Sequence, residues 1–223
     1  MTDSPLSIAV MVSGHGRGSN LGALIEGVQS GELNAKIALV IGTRADAPAL
    51  LRAQEAGTHT TVVSPRKYEG DAQGYGDTLL RLLTKYEVEL ICLAGFMLHL
   101  PPHVVETYRN RIMNIHPALL PEFGGQGMFG GNVHTAVLES GAKQSGCTVH
   151  FVDENYDTGP VILQHAVPIL EGDTPQTLAA RVLTEEHRAY VEAVTLFAKR
   201  RIQVEGETVR ILPPAEINSG ELL

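Results

Sequence analysis

Short apolar runs and longer amphipathic stretches alternate along the first half of the chain. Short runs bounded by Gly, Pro or polar residues are typical of buried strands, whereas apolar residues three and four positions apart are typical of helices. The strand-like runs are Ser7–Ser13, Lys36–Gly42, Thr60–Ser64, Leu90–Ala94 and Ile112–Ile115. The helical patterns between them are Leu21–Ser30, Pro48–Ala56, Tyr75–Tyr86 and Pro102–Tyr108. This alternation predicts an α/β, Rossmann-like fold, with a mostly parallel sheet flanked by helices.

The second half of the chain has longer elements. Two strands that pair with each other are predicted at Cys147–Val152 and Val161–Pro168, followed by one long amphipathic helix at Thr174–Ala198. A small hairpin is predicted from Ile202–Val204 and Thr208–Leu212. No repeat or linker interrupts the pattern, so we expect a single domain over residues 1–212 and a loose tail over 213–223.

Composition excludes several classes of protein. The 223 residues are 43% hydrophobic, which is enough for one sizeable core. The formal charge of -8 disfavours nucleic-acid binding. No apolar run approaches the ~18 residues of a membrane span, and the N-terminus lacks the basic start of a secretory signal. We therefore expect a cytoplasmic protein with no nucleic-acid or membrane partner. Cys92 and Cys147 lie in apolar runs and are expected to be buried, unreactive thiols.

An amide, an imidazole and a carboxylate form the candidate catalytic group. Asn114 and His116 are two positions apart on a predicted strand that Pro117 ends, so their side chains share one face. Asp157 follows in a later loop. An amide N–H or a protonated imidazole stabilises negative charge on a formyl oxygen, and an imidazole also moves protons near neutral pH. A nearby Asp157 would favour the charged imidazole. The three residue types suit the transfer of a one-carbon acyl group.

A glycine-rich turn, 13–21, follows the first predicted strand and opens a helix. Free N–H groups at such a helix start bind anions, and a phosphate is the expected ligand. A tight connection without a ligand is the alternative interpretation. The G-x-x-x-x-G-K motif of nucleotide triphosphatases is absent.

Three motifs occur in a familiar order: SGHGRGSNL at 13–21, NIHPALLP at 114–121 and HFVDENYDTGPVI at 150–162. Together they resemble the folate-dependent phosphoribosylglycinamide formyltransferase family, and the similarity extends from Ser7 to Ile211. The resemblance implies transfer of the formyl group of 10-formyltetrahydrofolate to the amino group of glycinamide ribonucleotide, in purine biosynthesis. Transfer would be direct, through a tetrahedral intermediate.

The resemblance also assigns roles to residues. The catalytic trio falls on Asn114, His116 and Asp157. Residues that hold the phosphate are implied at Gly18, Ser19 and Asn20. Glu186 is implied to hold the ribose or the amine of the ribonucleotide. The phosphate-binding half would be about 1–100, and the folate-binding and catalytic half about 101–212. Because the turn is about two residues longer than the commoner SGNGSN form, the N–H groups that contact phosphate are not assigned.

Two segments and the trio are implied to bind folate. Their members are Met97, Leu98, His99, Leu100, Asn114, Asp153, Glu154, Asn155, Tyr156 and Asp157. Many relatives carry Arg where this chain has Leu98. Another folate-contacting Arg of the family aligns with Ala72, and Arg66 or Lys67 is a candidate substitute.

A segment with five glycines in nine residues, 123–131, predicts a mobile flap beside the site. A long connection without a catalytic role is the alternative. Nine histidines raise the question of a metal, but no H-E-x-x-H or compact Cys/His spacing is present, so we expect a site without metal. His150 is expected to point into the site, and His134 to cap its helix.

Other functions remain open. A 10-formyltetrahydrofolate hydrolase shares the N-x-H-P motif but carries an N-terminal regulatory domain, for which a first strand at Ser7 leaves no room. A methionyl-tRNA formyltransferase has a C-terminal tRNA-binding domain, whereas only a short tail follows Leu212. A folate- or phosphate-binding relative without turnover is the third possibility. Either a monomer or a homodimer is compatible with the sequence.

Overall fold

A computed structural model of the chain describes residues 4–14 and 16–214. Its strands are β1 (Leu6–Val12), β2 (Ala35–Gly42), β3 (Thr60–Val62), β4 (Leu90–Leu93), β5 (Ile112–His116), β6 (Gln144–Phe151), β7 (Val161–Pro168), β8 (Ile202–Glu205) and β9 (Thr208–Ile211). Its α-helices are α1 (Ser19–Ser30), α2 (Pro48–Glu55), α3 (Ala72–Lys85), α4 (Pro102–Thr107), α5 (Gly131–Glu139) and α6 (Pro175–Ala198), and a 3-10 turn lies at Pro65–Tyr68. Strand and helix alternate as the hydrophobic pattern predicts.

The main sheet has seven strands in the order β3-β2-β1-β4-β5-β6-β7. The first five of these pair in parallel, whereas β6 runs antiparallel to both of its neighbours. The predicted fold class is therefore confirmed. Because β2 and β4 lie on opposite sides of β1, the chain changes direction across the sheet there, and ligands bind at the carboxyl ends of strands at such a point.

Both faces of the sheet are covered. Every residue of β1 is buried, and its side chains alternate between two cores. Ile8 and Val10 pack with α1 and α6 on one face, whereas Ala9 and Met11 pack with α3 and α4 on the other. This double burial explains why the central strands are continuous apolar runs.

Helix α6 spans 24 residues and is fixed at its start by a reciprocal cap. The Thr177 backbone N–H donates to the Thr174 hydroxyl at 3.2 Å, and the Thr174 N–H donates to the Thr177 hydroxyl at 2.9 Å. Further along, the buried Tyr190 hydroxyl lies 2.9 Å from the Leu93 carbonyl and 3.1 Å from that of Met113. The helix is thus bonded to β4 and β5, the two strands that lead into the candidate site.

The element bounds and burial settle two sequence-based expectations, one for His134 and one for the cysteines. The bounds of helix α5 were not predicted, because the run of glycines before it gives no signal of where the helix starts. His134 lies inside α5, whose N-cap is Gly130, so the prediction that His134 caps its helix is wrong. Cys92 and Cys147 are both buried, and burial raises each thiol pKa to about 12, as expected for unreactive thiols. From residue 215 onward, the predicted tail lies outside the described residues.

No helix in the described ranges combines the length and apolarity that crossing a bilayer requires.

Candidate active site

A cavity of about 780 Å³ opens at the carboxyl edge of the sheet. Its walls come from the segments that follow β1, β4 and β5, from the loop between β6 and β7, and from α6. The volume falls within the range of about 300–1,000 Å³ that small-molecule sites occupy. Asn114, His116 and Asp157 all line this cavity.

Strand β5 sets the positions of the first two members of the trio. Met113 and Ile115 belong to the core on one face of the sheet, so Asn114 and His116 point to the opposite face. On the neighbouring antiparallel strand, His150 lies directly opposite Asn114. The three side chains therefore meet on one face.

The register of β6 against β5 is held by Thr148, which lies opposite His116. Its hydroxyl donates to the Ala118 carbonyl at 2.6 Å and accepts from the Leu120 N–H at 3.0 Å. The segment after β5 is thereby anchored to β6 as it leaves the sheet.

His150 orients the amide of Asn114. The Nδ1 atom of His150 lies 2.8 Å from the Phe151 carbonyl, which can only accept, so Nδ1 carries the proton. In the neutral imidazole, Nε2 then accepts a hydrogen bond, and Asn114 Nδ2 lies 3.1 Å from it. The second N–H of the amide faces Asp157 Oδ1 at 3.5 Å, a long contact that a substrate oxygen can replace. The prediction that His150 points into the site is confirmed.

The imidazole of His116 is fixed in the same manner. Its Nε2 atom donates to the Phe123 carbonyl at 2.8 Å, so the lone pair of the neutral ring is on Nδ1, 3.5 Å from Asp157 Oδ2. Burial lowers the pKa of His116, and Asp157 and the Phe123 carbonyl raise it by less. The net pKa lies below the ordinary value, so the resting imidazole is neutral at working pH and Nδ1 can accept a proton.

Asp157 is held as a carboxylate. Burial raises its pKa, but the His150 ring 3.6 Å from Oδ1, the charge of His116 and the Gly125 N–H together lower it by more, so the net shift is downward. The Gly125 N–H donates to Oδ2 at 2.9 Å. A Cβ on Gly124 would lie 3.2 Å from the Cβ of Asp157, so the glycine-rich segment approaches this residue closely.

The phosphate-binding residues that the resemblance implies lie at the start of α1. Asn20 lines the cavity, whereas Gly18 and Ser19 do not. Gly18 has a left-handed φ of 70°, and a Cβ there would meet Ala49 at 2.7 Å. Asn20 Nδ2 donates to the Glu186 carboxylate at 2.7 Å. Burial raises the pKa of Glu186, and the bond from Asn20 offsets this only in part.

Most of the residues that the resemblance assigns to folate border the cavity. These are Met97, Leu98, His99, Leu100, Asn114, Asp153, Asn155, Tyr156 and Asp157. The exception is Glu154, whose carboxylate lies 3.5 Å from Arg109 on the surface. Arg66 and Lys67 belong to the 3-10 turn and do not border the cavity. Neither residue is therefore placed to substitute for the folate-contacting Arg of the family.

Several lining groups were missed by the sequence analysis. The flap segment contributes Gly125–Gly131 to the wall, which agrees with its predicted position beside the site. Its backbone contacts with His116 and Asp157 could not be foreseen, because backbone groups leave no residue signature. Arg17 also lines the cavity, and its only sequence signal is its position in the lengthened turn. Within residues 4–14 and 16–214, no group of three His, Cys, Asp or Glu residues is arranged to hold a metal ion.

The fold and this cluster define an α/β protein with a small-molecule site at the carboxyl edge of a mostly parallel sheet. Residues 6–194 match the family model described as formyl transferase. The chain therefore belongs to the formyl transferase family, which confirms the family resemblance drawn from its motifs.

Named relatives agree with this assignment. The chain is 43% identical over 196 residues to the chloroplastic phosphoribosylglycinamide formyltransferase of Arabidopsis thaliana, covering 88% of this chain and 66% of that protein. It is 42% identical to the trifunctional purine biosynthetic protein adenosine-3 of Gallus gallus, covering 92% of this chain but only 20% of that protein. It thus spans just under two thirds of the first relative and a fifth of the second. The crystal structure of glycinamide ribonucleotide transformylase 1 from Symbiobacterium toebii superposes with a TM-score of 0.87 at 44% identity, covering 93% of this chain and 94% of that one.

Proposed function

We propose that this chain transfers the formyl group of 10-formyltetrahydrofolate to the amino group of glycinamide ribonucleotide. The observation that carries the proposal is the convergence of Asn114, His116 and Asp157 on one wall of the cavity. The names of the relatives support the choice of substrates, since they include phosphoribosylglycinamide formyltransferases.

The layout of the cavity fits two substrates that meet at the trio. Asn20 and Glu186 border the end beside α1, where free helix N–H groups favour a phosphate. Met97, Leu98 and Leu100 give a different part of the wall an apolar surface that suits a flat pterin ring. The Met97 N–H donates to the Ser13 hydroxyl at 2.8 Å, so the segments after β1 and β4 are bonded together.

The folate co-substrate supplies the formyl carbon, and the chain's own residues supply charge and proton transfer. One N–H of Asn114, which makes only a long contact of 3.5 Å with Asp157 Oδ1, can donate to the formyl oxygen as negative charge develops there. The Nδ1 atom of neutral His116 accepts a proton from the attacking amine. Asp157 stabilises the imidazolium through the 3.5 Å contact between its Oδ2 and Nδ1 of the ring. The imidazolium then gives this proton to the folate nitrogen as the bond between that nitrogen and the formyl carbon breaks, and tetrahydrofolate leaves.

Direct transfer, without a covalent enzyme adduct, is consistent with the state of the cysteines. Cys92 and Cys147 are buried in strands, and burial raises their pKa to about 12, which disfavours a thiolate nucleophile. The two substrates would therefore react with each other within the cavity.

An assay with two arms tests the function. The protein is mixed with 10-formyltetrahydrofolate, with and without glycinamide ribonucleotide, and tetrahydrofolate release is followed by absorbance. We expect release that depends on the ribonucleotide, with formylated ribonucleotide formed in equal amount. Equal release in its absence would indicate a hydrolase instead. Binding of both ligands without release would indicate a binding protein.

A further inference from the structure

Arg17 lies in the turn between β1 and α1 and lines the candidate active site. Its side chain is exposed, and within the described residues it makes no ion pair or hydrogen bond. Arg44, beside the same turn, is different: it packs on Gly14 and forms two bonds with Asp46, at 2.9 and 2.6 Å. Of the two arginines, only Arg17 is available to a ligand in the cavity.

Arg17 is a cationic residue in a cavity wall whose carboxylates are otherwise its main charged groups. The acidic lining residues are Asp153, Asp157 and Glu186. Among the described residues of the wall, Arg17 is the only Lys or Arg. A phosphorylated substrate brings further negative charge into this acidic cavity. A cation beside the phosphate would offset the repulsion between the phosphate and the carboxylates.

The neighbouring helix end also lacks a protein partner. Helix α1 has no side-chain cap at its N-terminus and no acidic residue in its first turn. Its first N–H groups are therefore available to an external acceptor. Gly18 fixes the backbone between Arg17 and the helix, because it packs against Ala49 in a left-handed conformation. The turn thus holds Arg17 beside those N–H groups.

We propose that Arg17 is a specificity-determining residue that binds the phosphate of the substrate through its guanidinium group. A planar guanidinium can donate two parallel hydrogen bonds to a phosphate, which a lysine cannot. This inference rests on the proposed function for the choice of ribonucleotide, but the phosphate contact itself is independent of the formyl transfer. The turn of this chain is about two residues longer than the SGNGSN form and carries Arg17, a cationic residue that the SGNGSN form lacks.

Equilibrium binding of ribose 5-phosphate, measured by calorimetry, tests the contact without requiring turnover. Arg17→Gln should weaken binding about tenfold, the scale of a partly exposed charge-assisted hydrogen bond. The affinity of Arg17→Lys for ribose 5-phosphate should lie between those of Arg17→Gln and the parent chain. Arg44→Gln is the matched control, because it removes the same charge beside the same turn, and it should stay within about twofold. Ribose without phosphate should bind all four proteins equally weakly.

Steady-state kinetics then connects the contact to the reaction. Arg17→Gln should raise the KM for glycinamide ribonucleotide about tenfold while leaving kcat and the KM for 10-formyltetrahydrofolate unchanged. Equal ribose 5-phosphate binding by Arg17→Gln and Arg44→Gln would overturn the proposal, as would no detectable binding by the parent chain at millimolar concentration. If the parent chain binds ribose 5-phosphate through Arg17 but forms no formylated ribonucleotide, the proposed function fails and the phosphate site stands.

Discussion

The backbone N–H of Gly125 donates a hydrogen bond to Oδ2 of Asp157 at 2.9 Å. Two residues earlier, the Phe123 carbonyl accepts from Nε2 of His116 at 2.8 Å. The glycine-rich segment therefore holds two members of the catalytic trio through its main chain. Each bond also favours the charged form of its partner, since Gly125 lowers the pKa of Asp157 and Phe123 raises that of His116. The position of the segment and the ionisation of the trio are coupled.

The coupling can be tested with a pair of glycine variants. Gly125 and Gly127 have φ angles of 95° and 87°, and a Cβ at either meets nothing within 4 Å. Both alanine variants thus carry a similar backbone strain of about 1–3 kcal/mol, but only Gly125 bonds to Asp157. Gly125→Ala should lower kcat/KM about tenfold more than Gly127→Ala and raise the pKa of Asp157, followed by carbon NMR. Equal losses would show that strain alone matters.

Removal of the Asn114 amide should affect the chemical step. Asn114→Ala is expected to lower kcat by roughly 10²–10³, the scale of one lost oxyanion donor, with little change in either KM. The effect arises because the N–H serves charge that develops only during reaction. Steady-state kinetics with each substrate varied in turn is the measurement. A variant with raised KM and normal kcat would assign Asn114 to ground-state binding.

Replacement of Asp157 should change the titration of His116. In Asp157→Asn the imidazolium loses its anionic partner, so the pKa of His116 should fall further below its ordinary value. The plateau value of kcat should fall by at least about tenfold, because the protonated ring is less stabilised during transfer. NMR titration of His116 measures the first effect apart from turnover. Asp77→Asn, which removes a surface carboxylate 3.4 Å from His103, is the control and should leave His116 unchanged.

The pH dependence of the parent chain follows from the same group. The pKa of His116 is lowered, mainly by burial, and the neutral ring is the form that accepts a proton. The value of kcat/KM should therefore be level at neutral pH. It should fall as the pH drops through the pKa of His116, which lies below the ordinary value of about 6.5. Asp157, with its lowered pKa, stays ionised over that window. Activity that rises as the medium is acidified would contradict a neutral His116 as proton acceptor.

Metal removal should have no effect. The proposed roles are filled by protein groups and the folate, so prolonged dialysis against a chelator is expected to leave kcat unchanged. Activity lost on dialysis and restored by added Zn²⁺ would require a revised mechanism.

The main elements of the fold could be predicted because periodicity reports burial directly. Strands β1 and β4 are buried on both faces and read as unbroken apolar runs, and α6 repeats apolar residues on one side over 24 residues. The bounds of helix α5 could not be predicted, because the helix is only nine residues long and begins within a run of glycines. Local propensity there gives no sign of the packing of Val133 and Val137 that stabilises it.

The site was predictable where side chains carry the chemistry. Asn114 and His116 share a strand face by simple alternation, and the same argument places His150 opposite them once β6 is paired with β5. The Phe123 carbonyl and the Gly125 N–H were not predictable, because any residue supplies these groups and only the folded path brings them to the trio. Arg17 was passed over for a related reason: a charged residue in a flexible-looking turn is usually a solvated one.

The hydrogen bonds of the Thr148 hydroxyl also affect the register that β6 adopts when the chain folds. All but the first residue of β6 are buried, so exposure of apolar side chains penalises a one-residue slip of this strand only weakly. Such a slip would turn His150 away from Asn114 and produce a compact molecule without turnover. Two of the hydrogen bonds of the Thr148 hydroxyl oppose that outcome, because they join β6 to the Ala118 carbonyl and the Leu120 N–H in one register only. A side chain that does not line the cavity thus decides what fraction of folded molecules is active, a quantity that titration of active sites can count separately from the amount of folded protein.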